Sequence, residues 1–571
     1  MTDSLAVARL WAEHPFFDEA TRAQARALLA EEQASEREEC FGASLEFGTG
    51  GLRGLMGVGT NRMNHYTVMQ ATEGLARYME QHPDPKAQGV VIGYDSRNQS
   101  REFARTAASV IAAHGLPVYL FREIAPTPLV SCELLRRKAQ SAIILTASHN
   151  PPEYNGYKVY WKNGGQIVPP EDREITQEVR GVTDLSVIPS RDLTEAEAAG
   201  VLHWIGPEAD EFYFEEVRQL SVGNRSDNRD LGVLFTPLHG TGGRLVPELL
   251  RRQGFEQAHT VETQMVPDGN FTSVKSPNPE DPHAFELALA QADMDDRVIL
   301  CNDPDADRLG VMVRDSTQNW VRLNGNQIGV LLLDFTLSQL HRSHRMPAQP
   351  VFITTNVTTP LARSIAEEHG VQVLETLTGF KWIRALAEQL EREGQGDFVF
   401  GMEESHGYLR GGHSGDKDGV WAALAFAEMT AVLVTRGMTP VDHLQQLQVR
   451  HGYHLDEQRT RTLPGLEGKR QIAELIQNFR EHPPEQLGGL QTLKVEDLRE
   501  DTIRDLNSGE VSSGPGLPAS DVLTLHLEHG TRVVVRPSGT EPKIKFYFNL
   551  KDSNPEALAP RFAALLQDLK L

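Results

Sequence analysis

One pattern returns six times along this chain. An apolar run ends in a polar loop bearing Gly, Asp, Ser or Glu, and a helical stretch follows. It occurs as GVVIGYDSR (89–97), SAIILTASHN (141–150), LGVLFTPLHGTGG (231–243), RVILCNDPDADR (297–308), VFITTNVTTP (351–360) and DFVFGMEESHGY (397–408). Short apolar runs without alternation are strands buried on both faces. Strands that alternate with helices build parallel sheets covered by those helices. Six strand ends with reactive-looking loops are too many for one site on one sheet. The pattern therefore predicts several α/β domains sharing a cleft, with ligands beyond the carboxyl ends of the strands.

The 571 residues suit roughly three to five domains of about 100–200 residues. Residues 1 to 40 read as a helical N-terminal extension. Residues 456–571 differ from what precedes them. SDVLTLHLEHGTRVVVRPSGTEPKIKFYFNL alternates in β fashion around a hairpin-like EHGT, and predicts an α+β domain. The stretch 456–520 is polar, and SSGPGLPASD reads as a flexible loop.

Composition excludes several partners. Hydrophobic residues make up 39% and charged residues 24%, ordinary globular values. A net charge of -23 leaves no basic surplus to neutralise nucleic-acid phosphates, although a local Arg/Lys cluster can still hold a small phosphorylated ligand. Cys40, Cys132 and Cys301 are too scattered for a disulfide framework or a zinc site and suit a reducing compartment. No run approaches the ~20 apolar residues of a membrane helix, and MTDSLAVARLWAEH lacks a signal-peptide core. The expectation is a cytoplasmic protein, monomeric or a small homo-oligomer, with no nucleic-acid and no membrane partner.

Four short stretches carry the chemistry. In NDPDADR, Asp303, Asp305 and Asp307 follow a strand at alternate positions and can converge on one hard cation. Clustered carboxylates repel one another unless a cation is present. An EF-hand is excluded, because its sixth and twelfth positions, Gly and Glu, are Arg308 and Arg314 here. Three oxygens leave coordination positions open, which suits Mg²⁺ holding a phosphate, with Arg308 adding a cation beside it.

TASHNPPEYNGYK (146–158) sets Ser148 and His149 on a loop that Pro151 and Pro152 keep from becoming helix. Asn155–Gly156 predicts a second turn there, and a plain turn would use the same residues. RPSGTE (536–541) groups Arg536, Ser538, Gly539 and Thr540 into an anion nest. EESHG (403–407) offers Glu403 and Ser405 to sugar hydroxyls, and DKDG (416–419) adds Lys417. FGTGGLRG (47–54) is neither a Walker A loop nor a dinucleotide fingerprint, but its Arg53 can reach a phosphoryl group. Phosphate chemistry without a nucleotide motif points to a phosphoryl group stored on the protein. Ser148 is its natural carrier, and Mg²⁺ would neutralise charge during transfer.

Together these motifs resemble the α-D-phosphohexomutases, the phosphoglucomutase/phosphomannomutase superfamily. TASHNPPEYNGYK is similar to its phosphoserine loop, DPDADR to its metal loop, GMEESHG to its sugar loop and RPSGTEPK to its phosphate loop. They stand in the family's order and span nearly the whole chain. LEFGTGGLRGLMGVGTNRMN resembles the phosphoglucomutase/phosphopentomutase-like branch.

The resemblance implies an α/β architecture of four domains around a central cleft, three α/β and a smaller α+β domain. The implied units are 1–207 with the phosphoserine loop, 208–323 with the metal loop, 324–455 with the sugar loop and 456–571 with the phosphate loop. It implies a phosphorylated Ser148 whose phosphate binds Mg²⁺ together with Asp303, Asp305 and Asp307. Arg53, His149 and Lys158 would surround the phosphoryl group, with Arg308 close by. Glu403 and Ser405 would read the sugar, and Lys381 joins the substrate-binding set. Arg536, Ser538, Gly539 and Thr540 would hold the non-reacting phosphate. Lys417 is the implied acid/base, with His149 the second candidate.

The implied reaction interconverts glucose 1-phosphate and glucose 6-phosphate through glucose 1,6-bisphosphate, which is also the activator. Phosphopentomutase, phosphomannomutase and glucose-1,6-bisphosphate synthase activities use the same parts. Phosphomannomutase-type members carry a sugar loop closer to GEMSGH, so EESHG leans toward glucose or a pentose. A haloacid-dehalogenase-like phosphatase, with Asp303 as nucleophile and Asp305 as acid, leaves TASHNPP and RPSGTE unexplained. A silent sugar-phosphate binder would have no need of every catalytic residue type.

Overall fold

The run Ser141–Leu145 is a strand with every residue buried, and it pairs in parallel with the equally buried Val90–Tyr94. A computed structural model describes residues 3–46, 51–84, 88–223, 227–463, 465–538 and 543–571. Among the described residues the strands form four sheets.

The first sheet contains β1 (Gly51–Leu55), β2 (Val90–Tyr94), β3 (Val118–Phe121), β4 (Ser141–Leu145), β5 (Tyr154–Trp161) and β6 (Leu202–Ile205), in the order β1-β5-β4-β2-β3-β6. The second contains β7 (Gly232–Thr236), β8 (Ala258–Thr260), β9 (Asp296–Asn302), β10 (Leu309–Arg314) and β11 (Trp320–Leu323), in the order β11-β10-β9-β7-β8. The third contains β12 (Pro350–Thr355), β13 (Gln372–Thr376), β14 (Asp397–Glu403) and β15 (Gly407–Leu409), in the order β13-β12-β14-β15.

These three sheets have parallel centres, as the alternating pattern predicts, but antiparallel strands at one side. The cause is loop length. Only residues 303–308 separate β9 from β10, and 404–406 separate β14 from β15, too few for the crossover a parallel neighbour needs. The chemically loaded loops are thus the tight returns themselves.

The fourth sheet is antiparallel throughout: β16 (Tyr453–Thr462), β17 (Gln486–Leu487), β18 (Leu490–Asp497), β19 (Thr502–Asp505), β20 (Val511–Ser513), β21 (Leu523–Leu527), β22 (Arg532–Pro537) and β23 (Lys543–Asp552). The polar stretch 456–520 is more structured than its composition suggests. It contributes most of β16, the helix Gly465–Glu481 and four short strands. Ile472, Ile476 and Phe479 give that helix one apolar stripe, which packs on the sheet, and polarity elsewhere hides the pattern. β16 also begins at Tyr453, so it straddles the boundary expected at 455/456.

The helical extension Ser4–Glu13, Glu19–Ala27 and Ala34–Phe41 gathers Trp11, Phe17 and Phe41 against Tyr66. The helix Gly419–Thr435 is apolar nearly all round and correspondingly buried. Among the described residues no single helix is long and apolar enough to cross a membrane. One continuous hydrophobic core runs from Leu52 to Leu447 beneath the first three sheets, while the fourth has its own, from Ile472 to Leu565. The loops after β4, β9 and β14 converge above the shared core.

Candidate functional site

The Ser148 loop begins where β4 ends. Ser148 takes φ 51°, a left-handed conformation that non-glycine residues rarely hold. It is 3% exposed. Its N–H donates to Thr146 Oγ1 at 2.8 Å and its hydroxyl donates to Asp303 Oδ2 at 2.6 Å. His149 Nδ1 lies 3.2 Å from the same hydroxyl. Burial first, then the Arg308 and Arg53 charges, hold His149 well below the ordinary imidazole range, so the ring is neutral.

The predicted turn at Asn155–Gly156 is not formed. Both residues lie inside β5, opposite Gly54 and Arg53 of β1. Gly156 serves close approach instead: a Cβ there would meet Thr146 O at 2.5 Å and Leu52 O at 2.8 Å.

Asp303, Asp305 and Asp307 occupy the β9–β10 return and are 0%, 0% and 1% exposed. One carboxylate oxygen from each lies within 4.8 Å of the others. Thr241 N–H and hydroxyl hold Pro304 O, and Thr127 donates its N–H to Asp305 O and its hydroxyl to Asp305 Oδ2. Lys158 Nζ, from β5, sits 2.8 Å from Asp305 Oδ2 and 3.6 Å from Asp307 Oδ2. Burial works to raise Asp305, but Lys158 outweighs it and holds the carboxyl far below its usual range. Asp303 is pushed well up by burial and by its two neighbours. The remaining oxygens of Asp305 and Asp307, both Oδ1, are buried with no hydrogen-bond partner. Three converging carboxylates with orphaned oxygens fit a hard divalent cation.

Glu403 ends β14 and is 5% exposed; burial pushes its carboxyl up to about 7, against the pull of Lys417. Lys417 Nζ lies 3.1 Å from Asp307 Oδ2, 3.7 Å from Glu403 Oε1 and 3.6 Å from Asp416 Oδ1. It thereby joins the acidic loop to the EESHG loop. Ser405 is half-buried beside Glu403. Arg308 turns its guanidinium to Glu280 at 2.7 Å, while its backbone N–H donates to Asp303 Oδ1 at 3.1 Å.

The other predicted residues lie further out. Arg53, on β1, reaches Asn150 Oδ1 of the Ser148 loop at 3.1 Å. Arg536 faces Lys545 across the β22–β23 ladder, and both charges act on Glu404. Ser538 donates its N–H to Lys543 O at 2.8 Å. Gly539 and Thr540 lie outside the described residues. Lys381 is the second residue of the helix Phe380–Glu393, its ammonium 5.2 Å from the Trp382 ring centre. The charge that acts on Lys381 is Asp172, not the acidic loop.

Three contributors escaped the sequence reading: Thr127, Glu280 and Arg97. Arg97 follows β2 and is 3% exposed. Its Nη1 donates to Pro151 O at 2.8 Å and Tyr154 O at 3.2 Å; its Nη2 donates to Ser148 O at 2.5 Å and to Asn150 O. The Asp-Ser-Arg that closes GVVIGYDSR was the available signal, a charged pair at the end of a buried strand.

Comparison with known proteins matches three family models in order. They are described as phosphoglucomutase/phosphomannomutase alpha/beta/alpha domain I over residues 44–185, domain II over 211–317 and domain III over 324–450. A phosphopentomutase from Homo sapiens is 35% identical, covering 95% of this chain and 91% of its own. A phosphoglucomutase from Staphylococcus epidermidis is 36% identical, covering 92% and 94%. A solved structure described as a putative phosphomannomutase from Thermus thermophilus superposes with a TM-score of 0.67 at 22% identity, covering 92% of this chain and 98% of that one.

Proposed function

Because this chain belongs to the phosphoglucomutase/phosphomannomutase family, we propose that it is an isomerase of the intramolecular phosphotransferase kind, interconverting glucose 1-phosphate and glucose 6-phosphate. The observation that carries the reading is the 2.6 Å contact between Ser148 Oγ and Asp303 Oδ2. It joins a strand-end serine to a buried acidic triad across two sheets, where a phosphoryl group on the serine would meet a cation on the triad. Asp303, Asp305 and Asp307 would hold Mg²⁺, which when bound withdraws charge from the transferring phosphoryl group.

The chain's own residues supply the rest. Phosphorylated Ser148 gives its phosphoryl group to a sugar-phosphate hydroxyl: the P–Oγ bond breaks, a P–O bond to the sugar forms, and the bisphosphate results. The sugar hydroxyl's proton goes to a base, and Ser148 Oγ takes one up as it leaves. Neutral His149, 3.2 Å from Oγ, suits taking the Ser148 hydroxyl proton in the return step, when Oγ attacks the bisphosphate. Lys417, held protonated by Asp307, Asp416 and Glu403, suits donation. Glu403 and Ser405 orient the sugar hydroxyls, and the Arg536–Thr540 loop holds the distal phosphate. Turned end for end, the bisphosphate returns the phosphoryl group at its other position to Ser148.

Ser148→Ala tests the reading. Expected are loss of turnover with the fold retained, and intact masses showing one phosphate on active wild-type protein and none on the variant. Turnover by the variant near the wild-type rate overturns the stored-phosphoryl mechanism. The Homo sapiens relative favours a second reading, pentose 1-phosphate as substrate. Parallel assays of kcat/KM on glucose, ribose and mannose 1-phosphates decide between them.

A further inference from the structure

We propose that Arg97 is a positioning residue for Ser148, acting through the carbonyl oxygens of the loop that carries the serine and touching neither substrate nor phosphoryl group. The inference rests on the reading of Ser148 as the phosphoryl carrier.

The loop from Ser148 to Tyr154 ties itself by Asn150 N–H to Ala147 O and Tyr154 N–H to Pro151 O, both at 3.1 Å, which leaves the carbonyls of Ser148 and Asn150 to other donors. Pro151 and Pro152 bring no N–H, and Ser148 keeps a left-handed φ of 51°. A residue in that region persists when its surroundings over-determine it. The guanidinium of Arg97 fills the inside of the loop. Its two terminal nitrogens donate to four carbonyl oxygens, those of Ser148, Asn150, Pro151 and Tyr154. Its Nε lies 3.3 Å from Asp95 Oδ2, both side chains fully buried. Asp95 Oδ1 is fixed in turn by Arg97 N–H at 2.9 Å and Ser100 Oγ at 2.8 Å.

The clamp also reaches the loop 266–281, which belongs to the unit that carries the acidic triad. Phe271 lies against the guanidinium, 4.9 Å from ring centre to Cζ. Beside it, Asn98 donates to Asn270 Oδ1 at 2.8 Å, and a Cβ on Gly269 would stand 2.4 Å from Asn98 N. The backbones therefore touch at the point where Arg97 stacks. One side chain so fixes the serine loop against the unit that supplies Asp303. Only a planar fork of donors can serve four carbonyls and a carboxylate together; a lysine ammonium has three donors at one point.

A brace of general stability and a positioning residue differ in what they change. Arg97→Lys should stay folded by thermal melting and circular dichroism, with KM for glucose 1-phosphate little changed. Its kcat should fall about 10²-fold, the scale of a misplaced reacting group. The rate of phosphate uptake from glucose 1,6-bisphosphate, read by intact mass, should fall with it. Phe271→Leu should shift kcat in the same direction by less. Millimolar guanidinium should recover part of the activity of Arg97→Ala. Wild-type kcat and phosphorylation rate in Arg97→Lys overturn the proposal, as does a loss of activity that tracks unfolding and ignores guanidinium. Wild-type protein that turns over with no phosphate on Ser148 removes the premise instead, and the intact masses of the wild type separate that result from the others.

Discussion

Replacing Lys158 by methionine takes away one of the two ammoniums that face the three carboxylates of the acidic loop, Lys417 being shared with Glu403 and Asp416. Lys158 Nζ lies 2.8 Å from Asp305 Oδ2, and Lys417 Nζ 3.1 Å from Asp307 Oδ2. After the change, Asp305 keeps the Thr127 hydroxyl at 3.1 Å but loses its nearest cation. Removing one partner of a buried pair typically costs about 3–5 kcal/mol, because the other charge stays desolvated. A divalent cation reverses the loss: at an effective dielectric near 20, each unit charge about 4 Å away returns about 4 kcal/mol. The assay is thermal unfolding of wild type and Lys158→Met, each in chelator and in saturating Mg²⁺. In chelator the variant should melt several degrees below wild type, and Mg²⁺ should close most of the gap. The Mg²⁺-induced rise should therefore be larger in the variant, although turnover is lost in both conditions. Equal Mg²⁺ increments in the two proteins, or a variant as stable as wild type in chelator, would refute the reasoning.

Glu403 sits at about 7 because it is buried, so kcat/KM for glucose 1-phosphate should fall as pH drops through 7 and the carboxylate gains its proton. The sign for stability is opposite, since the folded state binds this proton more tightly than the unfolded chain: stability from this group declines as pH rises from 4.5 to 7. Glu403→Gln should remove the acid limb and lower the plateau by about 1.5–3 kcal/mol, roughly ten- to hundredfold; an unchanged limb in the variant's pH–rate profile assigns it to another group. Gly156→Ala should displace the Ser148 loop, because the new Cβ meets backbone oxygens of Thr146 and Leu52. Overpacking of this kind costs about 1–3 kcal/mol, and phosphate uptake by intact mass should fall more than melting temperature does.

The parts of the site readable from sequence are those that the chain writes in one place. Asp303, Asp305 and Asp307 need only one tight return after a strand, and Ser148 and His149 only one Pro-stiffened loop, so spacing alone exposes them. Arg97, Thr127 and Glu280 belong to the site through sheet order, which joins residues far apart in the chain. Thr127 meets Asp305 across 178 positions. Asn155–Gly156 misled because glycine serves close approach as well as turns, and only the β1–β5–β4 pairing separates the two uses. The helix Gly465–Glu481 was hidden because a narrow apolar stripe barely changes the composition of a polar stretch.

A chain whose first three sheets share one hydrophobic core while the fourth keeps its own should unfold in two steps. The seam between them has a small apolar cluster of its own and a few polar contacts, among them Asn324 Nδ2 to Asp456 O at 3.3 Å. Val357 and Leu377 meet Leu498, Val522, Val534 and Tyr547, and Arg532 bonds to Thr358 O. The last unit, with its own core, should therefore unfold as a separate transition in a calorimetric scan. Loosening the seam should lower the first of the two transitions without softening the interior of either piece.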